Sequence, residues 1–206
     1  MKVLVIGSTG LTGRLLVAKL LAKGHEVTAF ARNPKDVGQS SAKLRVAQGD
    51  ARDAASIERA VAGQDAVLVA FGPRSTKKDD LQETLMRNLV GAMEKAGVKR
   101  LVYLSAMGTG ASLSEMPFYY RAFVALLLRA LFDDKERGEA IMRASALDYV
   151  SVLPGRLSNA GAKGGVKAQA RAAGLKLSMR REDLADFMIA QLDAHDWSRK
   201  SVLIGY

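Results

Sequence analysis

Short apolar runs alternate along the chain with segments whose apolar side chains recur at helical spacing. The run at residues 3–6 is fully apolar and ends at Gly7, which is typical of a strand buried on both faces. In residues 80–96 leucine or methionine recurs every four positions, which predicts an amphipathic helix. The pattern predicts strands at residues 2–6, 26–30, 44–47, 66–70, 100–104, 149–153 and 201–204. It predicts helices at residues 12–22, 54–61, 80–96, 118–132, 135–144 and 182–192.

The order of these elements predicts a parallel sheet. Strands and helices alternate through the chain, and parallel neighbours need crossover connections of the kind that helices supply. We therefore predict an α/β fold, a doubly wound parallel sheet with helices on both faces. Residues 1–206 contain no linker and are expected to form a single domain, with the Gly-, Ala- and Lys-rich residues 155–181 as a small loop or flap.

Three glycines spaced three apart follow the first predicted strand and open the first predicted helix. Gly7 permits a sharp exit from the strand, Gly10 lets the backbone approach a pyrophosphate, and Gly13 allows close packing of the helix. The amides at the start of the helix, including that of Leu11, attract phosphate groups. The alternative is a tight turn that binds no ligand. The hydroxyl groups available as further donors are those of Thr9 and Thr12.

The end of the second predicted strand indicates which dinucleotide the loop would hold. NAD-binding sites usually place an acidic residue there to bind the ribose 2′-hydroxyl, and residues 31–35 contain none. Arg32 lies where a guanidinium would suit a 2′-phosphate, with Asn33 and Lys35 beside it. The sequence therefore predicts NADP, with NADPH preferred over NADH. The alternative is a solvated basic turn.

Composition excludes several classes of site. The chain has 206 residues, 49% of them hydrophobic, and no cysteine, which rules out disulfides, thiolate metal sites and a cysteine nucleophile. Its two histidines lack metal-ligand spacing. The initial apolar run is too short for a signal peptide, and residues 122–132 are interrupted by Arg129 and fall short of the roughly 20 residues of a bilayer span. We expect a cytoplasmic protein with no membrane partner.

The net charge of +10 has two interpretations, solubility or an anionic partner. The basic residues are not interleaved with aromatic ones and form no nucleic-acid-binding motif, so we expect no nucleic-acid partner. The excess is concentrated in residues 149–181, which contain no acidic residue. The basic residues of that segment are Arg156, Lys163, Lys167, Arg171, Lys176, Arg180 and Arg181.

Several stretches together resemble the atypical, single-domain branch of the short-chain dehydrogenase/reductase superfamily. The similarity is closest to the NAD(P)H-binding flavin reductase and biliverdin reductase B-like proteins, and it covers nearly the whole chain. It implies a Rossmann-like fold with a small embellishment on the substrate side. The stretches that carry it are residues 7–13, residues 61–67, Asn88 with Ala92 and Met93, residues 104–106, Asp133 with Asp134, and residues 147–150.

This resemblance assigns further cofactor contacts. It implies that Asp50 and the backbone of Ala51 hold the adenine edge. It implies that Arg74 contacts a phosphate or the substrate, unless that arginine is only a surface residue. It implies that the ends of the fourth, fifth and sixth strands line the rest of the cofactor, at Phe71, Gly72, Ser105, Pro154 and Gly155.

Reduction of alcohols and ketones in this superfamily uses a Tyr-x-x-x-Lys pair, in which the phenol transfers the proton. No such pair exists here, because Lys135 follows Leu131 by four and Tyr103 precedes Met107 by four. A planar, delocalised acceptor does not need that acid, since solvent can protonate its reduced form. We therefore predict an NAD(P)H-dependent reductase of flavins (FMN or riboflavin), or of a linear tetrapyrrole such as biliverdin.

Two residues are candidates for catalytic roles. Ser105 lies at the end of the fifth strand, where its family counterpart orients cofactor or substrate; the alternative is that its hydroxyl only satisfies local backbone. Arg156 stands where biliverdin-reductase-like members carry a histidine. It would form, with the basic segment, a cationic rim for an anionic planar substrate such as FMN. The alternative is a solvated basic flap.

The aromatic residues Phe118, Tyr119, Tyr120 and Phe123 belong either to the core or to a surface that stacks on a flavin, with the core favoured. Asp133 and Asp134 would cap a helix at 135–144.

A second class of function is a non-catalytic NADP(H)-sensing regulator, because the missing Tyr-Lys pair permits binding without turnover. The sequence leaves the oligomeric state open, and a monomer is compatible with it.

Overall fold

The computed structural model describes residues 1–72, 79–176 and 178–206. Its strands are β1 (Lys2–Ile6), β2 (Glu26–Ala31), β3 (Leu44–Gln48), β4 (Ala66–Val69), β5 (Arg100–Leu104), β6 (Asp148–Pro154), β7 (Arg156–Ser158), β8 (Lys167–Gln169), β9 (Ser178–Arg180) and β10 (Lys200–Gly205). The main sheet has the order β3-β2-β1-β4-β5-β6-β10-β8. All neighbours are parallel except β8, which pairs antiparallel with β10 at the edge. Strands β7 and β9 form a separate parallel pair.

Helices cover both faces of this sheet. They are α1 (Leu11–Ala22), α2 (Ala54–Val61), α3 (Leu81–Ala96), α4 (Phe118–Phe123), α5 (Arg129–Ala144) and α6 (Arg181–Ala190). A π-helical segment, Val124–Leu128, joins α4 to α5, and short 3-10 helices cover Pro34–Val37 and Gly110–Glu115. Within the described ranges no helix is both long and apolar enough to cross a bilayer.

The alternation of side chains along β1 shows how the core is built. Val3 and Val5 pack towards α1 and α6, whereas Leu4 and Ile6 pack towards α2, α3 and α5. All four side chains are buried, because a parallel strand covered on both faces buries successive residues on opposite sides. The predicted Rossmann-like, doubly wound α/β fold is confirmed.

The strand order reverses at β1, which lies between β2 and β4. Strands β2 and β3 extend the sheet to one side, and β4, β5 and β6 extend it to the other. In such sheets the crevice for a ligand opens at the carboxyl ends of the strands beside the reversal. Here those ends are Ile6, Ala31 and Val69.

The structure departs from the sequence prediction in two places. Residues 155–181, predicted as a loop or flap, contain three short strands, one of which joins the main sheet. Helix α5 runs through residues 133 and 134, so the predicted helix start at Lys135 is wrong. The Asp134 carboxylate caps another helix instead, because it accepts hydrogen bonds from the amides of Gln82 and Glu83 in the first turn of α3.

Candidate functional site

The glycine loop is pressed against the end of β4. Gly7 has a φ of +84°, and a Cβ there would lie 2.6 Å from the carbonyl oxygen of Ala70. A Cβ on Gly13 would lie 2.0 Å from the carbonyl oxygen of Gly7. Gly10 is exposed, and its amide donates to the Gly7 carbonyl at 3.0 Å. Sterics therefore require glycine at positions 7 and 13, while position 10 leaves the outer side of the loop open.

Helix α1 starts directly from this loop. Its first turn contains no acidic residue, and its N-cap, Gly10, has no side chain to occupy the first amides. Thr12 is buried, Thr9 is half-buried, and Leu11 is 61% exposed. The helix N-terminus therefore combines unoccupied donors with a partial positive charge, which suits a phosphate group.

A cavity of about 250 Å³ opens beside the loop. It is lined by the carboxyl ends of β1, β2, β3 and β4 and by the first turns of α3 and α5. The predicted cofactor residues that line it are Gly7, Thr9, Arg32, Asp50, Ala51 and Phe71. Six of the predicted dinucleotide-binding residues thus surround one space.

Hydrogen bonds fix the backbone around the cavity. Asp50 accepts the Arg52 amide through Oδ1 at 2.9 Å. The Asn88 side-chain amide donates to the Ala51 carbonyl at 3.0 Å, and the Gln82 side-chain amide donates to the Phe71 carbonyl at 3.3 Å. Helix α3 thereby fixes the backbone at Ala51 and at Phe71, both of which line the cavity.

A depression at the end of β2 is lined by Thr9, Arg32, Asn33 and Asp36. The Asn33 side chain accepts the Lys35 amide at 3.3 Å and donates to Asp36 Oδ1 at 3.0 Å. Asp36 therefore places a carboxylate directly after residues 31–35, the segment that contains no acidic residue. Arg32 and Lys35 are exposed.

Sequence reasoning missed Arg14 beside this depression. Its guanidinium donates to the carbonyl of Thr9 at 3.1 Å and to the carbonyl of Asp36 at 2.8 Å. Arg14 thus clamps the glycine loop to the turn that follows β2. In the sequence, the position of Arg14 directly after Gly13 was the signal that could have placed it at this site.

Ser105 does not line the cavity. The residue is 5% exposed, and its hydroxyl is hydrogen-bonded to the Glu139 carboxylate and lies 3.1 Å from Thr109 Oγ1. Glu139 is 2% exposed, and its other oxygen accepts from Arg143 at 3.2 Å. No sequence spacing relates Ser105 to Glu139, so only the fold reveals this pair.

Tyr103 and Lys135, which are 32 residues apart in the sequence, are neighbours in the same region. Lys135 Nζ lies 3.4 Å from Tyr103 Oη and donates to the Leu104 carbonyl at 3.1 Å. The Tyr103 hydroxyl donates to Gln82 Oε1 at 3.1 Å. Burial lowers the pKa of Lys135 to about 8 and raises the pKa of Tyr103 well above its usual range. Tyr103 is fully buried, so this pair joins β5, α3 and α5 rather than presenting an acid at the cavity.

Arg156 lines a second, more open cleft of about 680 Å³. The cleft begins where β6 ends, and none of its lining residues belongs to the first cavity. Its other lining residues are Leu157, Ser158, Asn159, Ala160, Ser178, Arg180 and Arg181. Pro154 and Gly155 precede it; Pro154 is buried and accepts the Met107 amide at 2.9 Å.

The remaining predicted residues are Gly72, Arg74 and the aromatic group within residues 118–123. Gly72 is exposed at the end of the segment after β4. Arg74 lies outside the described residues. In the aromatic group, only Tyr120 packs inward, with its hydroxyl donating to the Met107 carbonyl at 3.0 Å. The favoured core interpretation is therefore wrong for Phe118, Tyr119 and Phe123, which are exposed.

A family model described as NAD(P)H-binding matches residues 7–195. The chain belongs to this NAD(P)H-binding family. Its matched range includes the glycine loop, the cavity and the second cleft.

Within the described residues, no group of three or more His, Asp or Glu side chains is arranged to hold a metal ion.

The chain is also similar to individual curated proteins. The chain is 29% identical to UPF0659 protein YMR090W of Saccharomyces cerevisiae, over 93% of this chain and 87% of that protein. It spans only 12% to 35% of the length of several other curated relatives that it matches.

Solved structures of the same fold include two enzymes by description. A short-chain dehydrogenase/reductase from Veillonella parvula, in complex with NADP, has a TM-score of 0.82 at 19% identity, over 100% of this chain and 94% of that one. ChuY from Escherichia coli O157:H7, described as an anaerobillin reductase, has a TM-score of 0.83 at 21% identity, over 100% of this chain and 97% of that one. At these identities the two structures show a shared fold, and the family match agrees with the resemblance to NAD(P)H-binding proteins.

Proposed function

We propose that the protein is an NADPH-dependent reductase of a planar, anionic acceptor, with a flavin such as FMN as the first candidate. The observation that carries this proposal is the cleft beyond the end of β6, which is lined by Arg156, Arg180 and Arg181. The cleft lies at the carboxyl edge of the sheet, the edge that also forms the cavity at the glycine loop. Guanidinium groups bind phosphate through paired hydrogen bonds, so this cleft suits the phosphate of FMN.

The cofactor assignment rests on the first cavity and the depression beside it. The loop of Gly7, Gly10 and Gly13 would receive the pyrophosphate, and Arg32 would bind the 2′-phosphate of NADPH. Arg14 holds the two sides of that site together. The remaining proposed cofactor contacts are Thr9, Leu11, Thr12, Asn33, Lys35, Asp50, Ala51, Phe71, Gly72, Pro154 and Gly155, together with Arg74.

When bound, the dinucleotide supplies a hydride, and the protein positions the acceptor against it. A flavin delocalises the charge that it receives, so solvent can deliver the proton without a tyrosine acid at the cavity. We propose a positioning role for Ser105 in this step: its buried hydroxyl is held by the Glu139 carboxylate outside the cavity, so it would act through neighbouring groups and not by direct contact with the acceptor. The description of ChuY keeps a linear tetrapyrrole as the second acceptor class.

The test is NADPH oxidation with FMN, uncharged lumiflavin and biliverdin as acceptors, for the wild type and Arg156→Ala. We expect the KM for FMN to rise about tenfold in the variant, the effect of losing one charge-assisted contact, and the KM for lumiflavin to stay unchanged. Arg171→Ala removes an exposed arginine from the same basic segment outside the cleft and serves as the matched control.

The outcomes separate the alternatives. An equal change of KM for FMN and lumiflavin would show that the charge of Arg156 has no role in acceptor binding. Tight NADPH binding with no turnover of any acceptor would refute the reductase and favour a non-catalytic NADP(H) sensor.

A further inference from the structure

The helical segment after Pro117 carries large apolar side chains on the side that faces away from the protein. They are Phe118, Tyr119, Phe123, Leu126 and Leu127, which we call the apolar ridge. Phe118 is 83% exposed and Leu126 is 82% exposed. Isolated exposed apolar residues are ordinary, but a contiguous group on one element marks an interaction surface.

The segment already uses its opposite side for packing. Val124 is buried, and Tyr120 and Leu128 are partly buried, at positions four residues apart along the helix. The apolar ridge is therefore exposed even though the opposite side of the helix packs against the protein. A helix that is apolar on both sides needs a second apolar environment to cover the outer side.

Charge indicates what that environment is. Residues 116–132 contain Arg121 and Arg129 and no acidic residue, and the whole chain has a net charge of +10. Arg129 is 3.8 Å from Asp133 in an exposed pair, and Arg121 has no carboxylate partner among the residues that the structure describes. An anionic lipid surface offers negative headgroups for the arginines and an apolar interior for the apolar ridge, whereas a second copy of this chain carries the same net positive charge and would be repelled.

We propose that the protein docks peripherally on anionic membranes through the apolar ridge, with Arg121 at the headgroups. Docking of this kind lays a helix in the interface and needs no membrane-spanning segment. It therefore replaces the sequence expectation of no membrane partner, which rested on the lack of such a segment. The next turn of the chain connects the surface to the site, because Ala130 and Leu131 line the cavity beside the glycine loop. The docked protein would thus carry its cavity close to the lipid surface.

The experiment is sedimentation with phosphatidylcholine vesicles, with and without phosphatidylglycerol. We expect the wild type to bind the anionic vesicles, with binding weakened by salt. Leu126→Glu combined with Leu127→Glu should weaken binding about tenfold or more, since two leucines no longer enter the interface. The matched control, Ala18→Glu with Ala22→Glu, adds the same charge to exposed positions of α1 and should bind almost as the wild type does.

A second variant tests the same surface without placing charge in the apolar ridge. Arg121→Gln should weaken binding to anionic vesicles about fivefold and leave the weak binding to neutral vesicles unchanged. Failure of the wild type to bind anionic vesicles would overturn the proposal, as would equal losses in the ridge variant and its control. A dimer in gel filtration that the ridge variant dissociates, without vesicle binding, would assign the ridge to a second copy instead.

Discussion

At the residue scale, the depression after β2 contains charges of both signs. Arg32 is exposed there, while the Asp36 carboxylate accepts from the Asn33 amide at 3.0 Å. A carboxylate at this place favours a ribose hydroxyl, and a guanidinium favours a phosphate. We expect the arginine to dominate, because Arg32 also lines the main cavity whereas Asp36 does not.

Arg32→Ala should therefore lower the affinity for NADPH about tenfold and leave the affinity for NADH nearly unchanged, since only NADPH carries the 2′-phosphate. Calorimetric titration of both dinucleotides measures the two effects. Arg45→Ala, which removes an exposed arginine from β3 outside the site, is the control. Equal affinities of the wild type for the two dinucleotides would contradict the predicted preference.

At the element scale, α3 and α5 are joined closely at the floor of the site. The Asp134 carboxylate accepts from the Gln82 amide at 2.9 Å and from the Glu83 amide at 3.2 Å. One turn later, a Cβ on Gly138 would lie 2.9 Å from the Gln82 carbonyl oxygen. An N-terminal cap supplied by a different helix, together with a glycine contact, thus sets the position of α3 against the cavity.

Asp134→Ala should lower the free energy of unfolding by about 2–3 kcal/mol, because it leaves two helix amides without an acceptor in a buried place. Urea denaturation followed by circular dichroism measures the change. Asp133→Ala makes the same substitution at the adjacent exposed residue and should cost less than about 0.5 kcal/mol. Similar losses in both variants would show that the cap does not stabilise the helix pair.

The same elements show how far the sequence could predict the molecule. The strands and the helices around the glycine loop follow from local periodicity, and they are found close to the predicted bounds. The role of Asp134 could not be predicted, since its partners lie some fifty residues earlier in the chain. The contacts of Ser105 with Glu139 and of Tyr103 with Lys135 depend on the packing of β5 against α5, for which no local pattern exists.

At the scale of the whole molecule, apolar composition did not reveal which side of a helix is exposed. The sequence predicts that residues 118–132 are helical, which is confirmed, and favours a core position for the aromatic residues, which is wrong for Phe118, Tyr119 and Phe123. Residues 122–132 are also too short for a bilayer span and are interrupted by Arg129. Periodicity reports that one side is apolar, but when both sides are apolar only the packed structure distinguishes the buried side from the apolar ridge.

The buried lysine predicts how the stability of the whole protein depends on pH. The pKa of Lys135 falls from its usual 10.5 to about 8 on folding, because burial disfavours the charged ammonium. Below pH 8 both states hold the proton. Between pH 8 and 10 the folded state releases it while the unfolded chain retains it, so the free energy of unfolding rises with pH. Above pH 10 the raised pKa of Tyr103 acts in the opposite direction.

We therefore expect the free energy of unfolding to rise by about 2 kcal/mol between pH 7.5 and pH 9.5, measured by urea denaturation. Lys135→Met should abolish the rise, because it removes the titrating group. Lys95→Met, at a side chain that is 70% exposed on α3, should retain it. A rise of the same size in Lys135→Met would show that another group, and not the ammonium beside Tyr103, controls stability in this range.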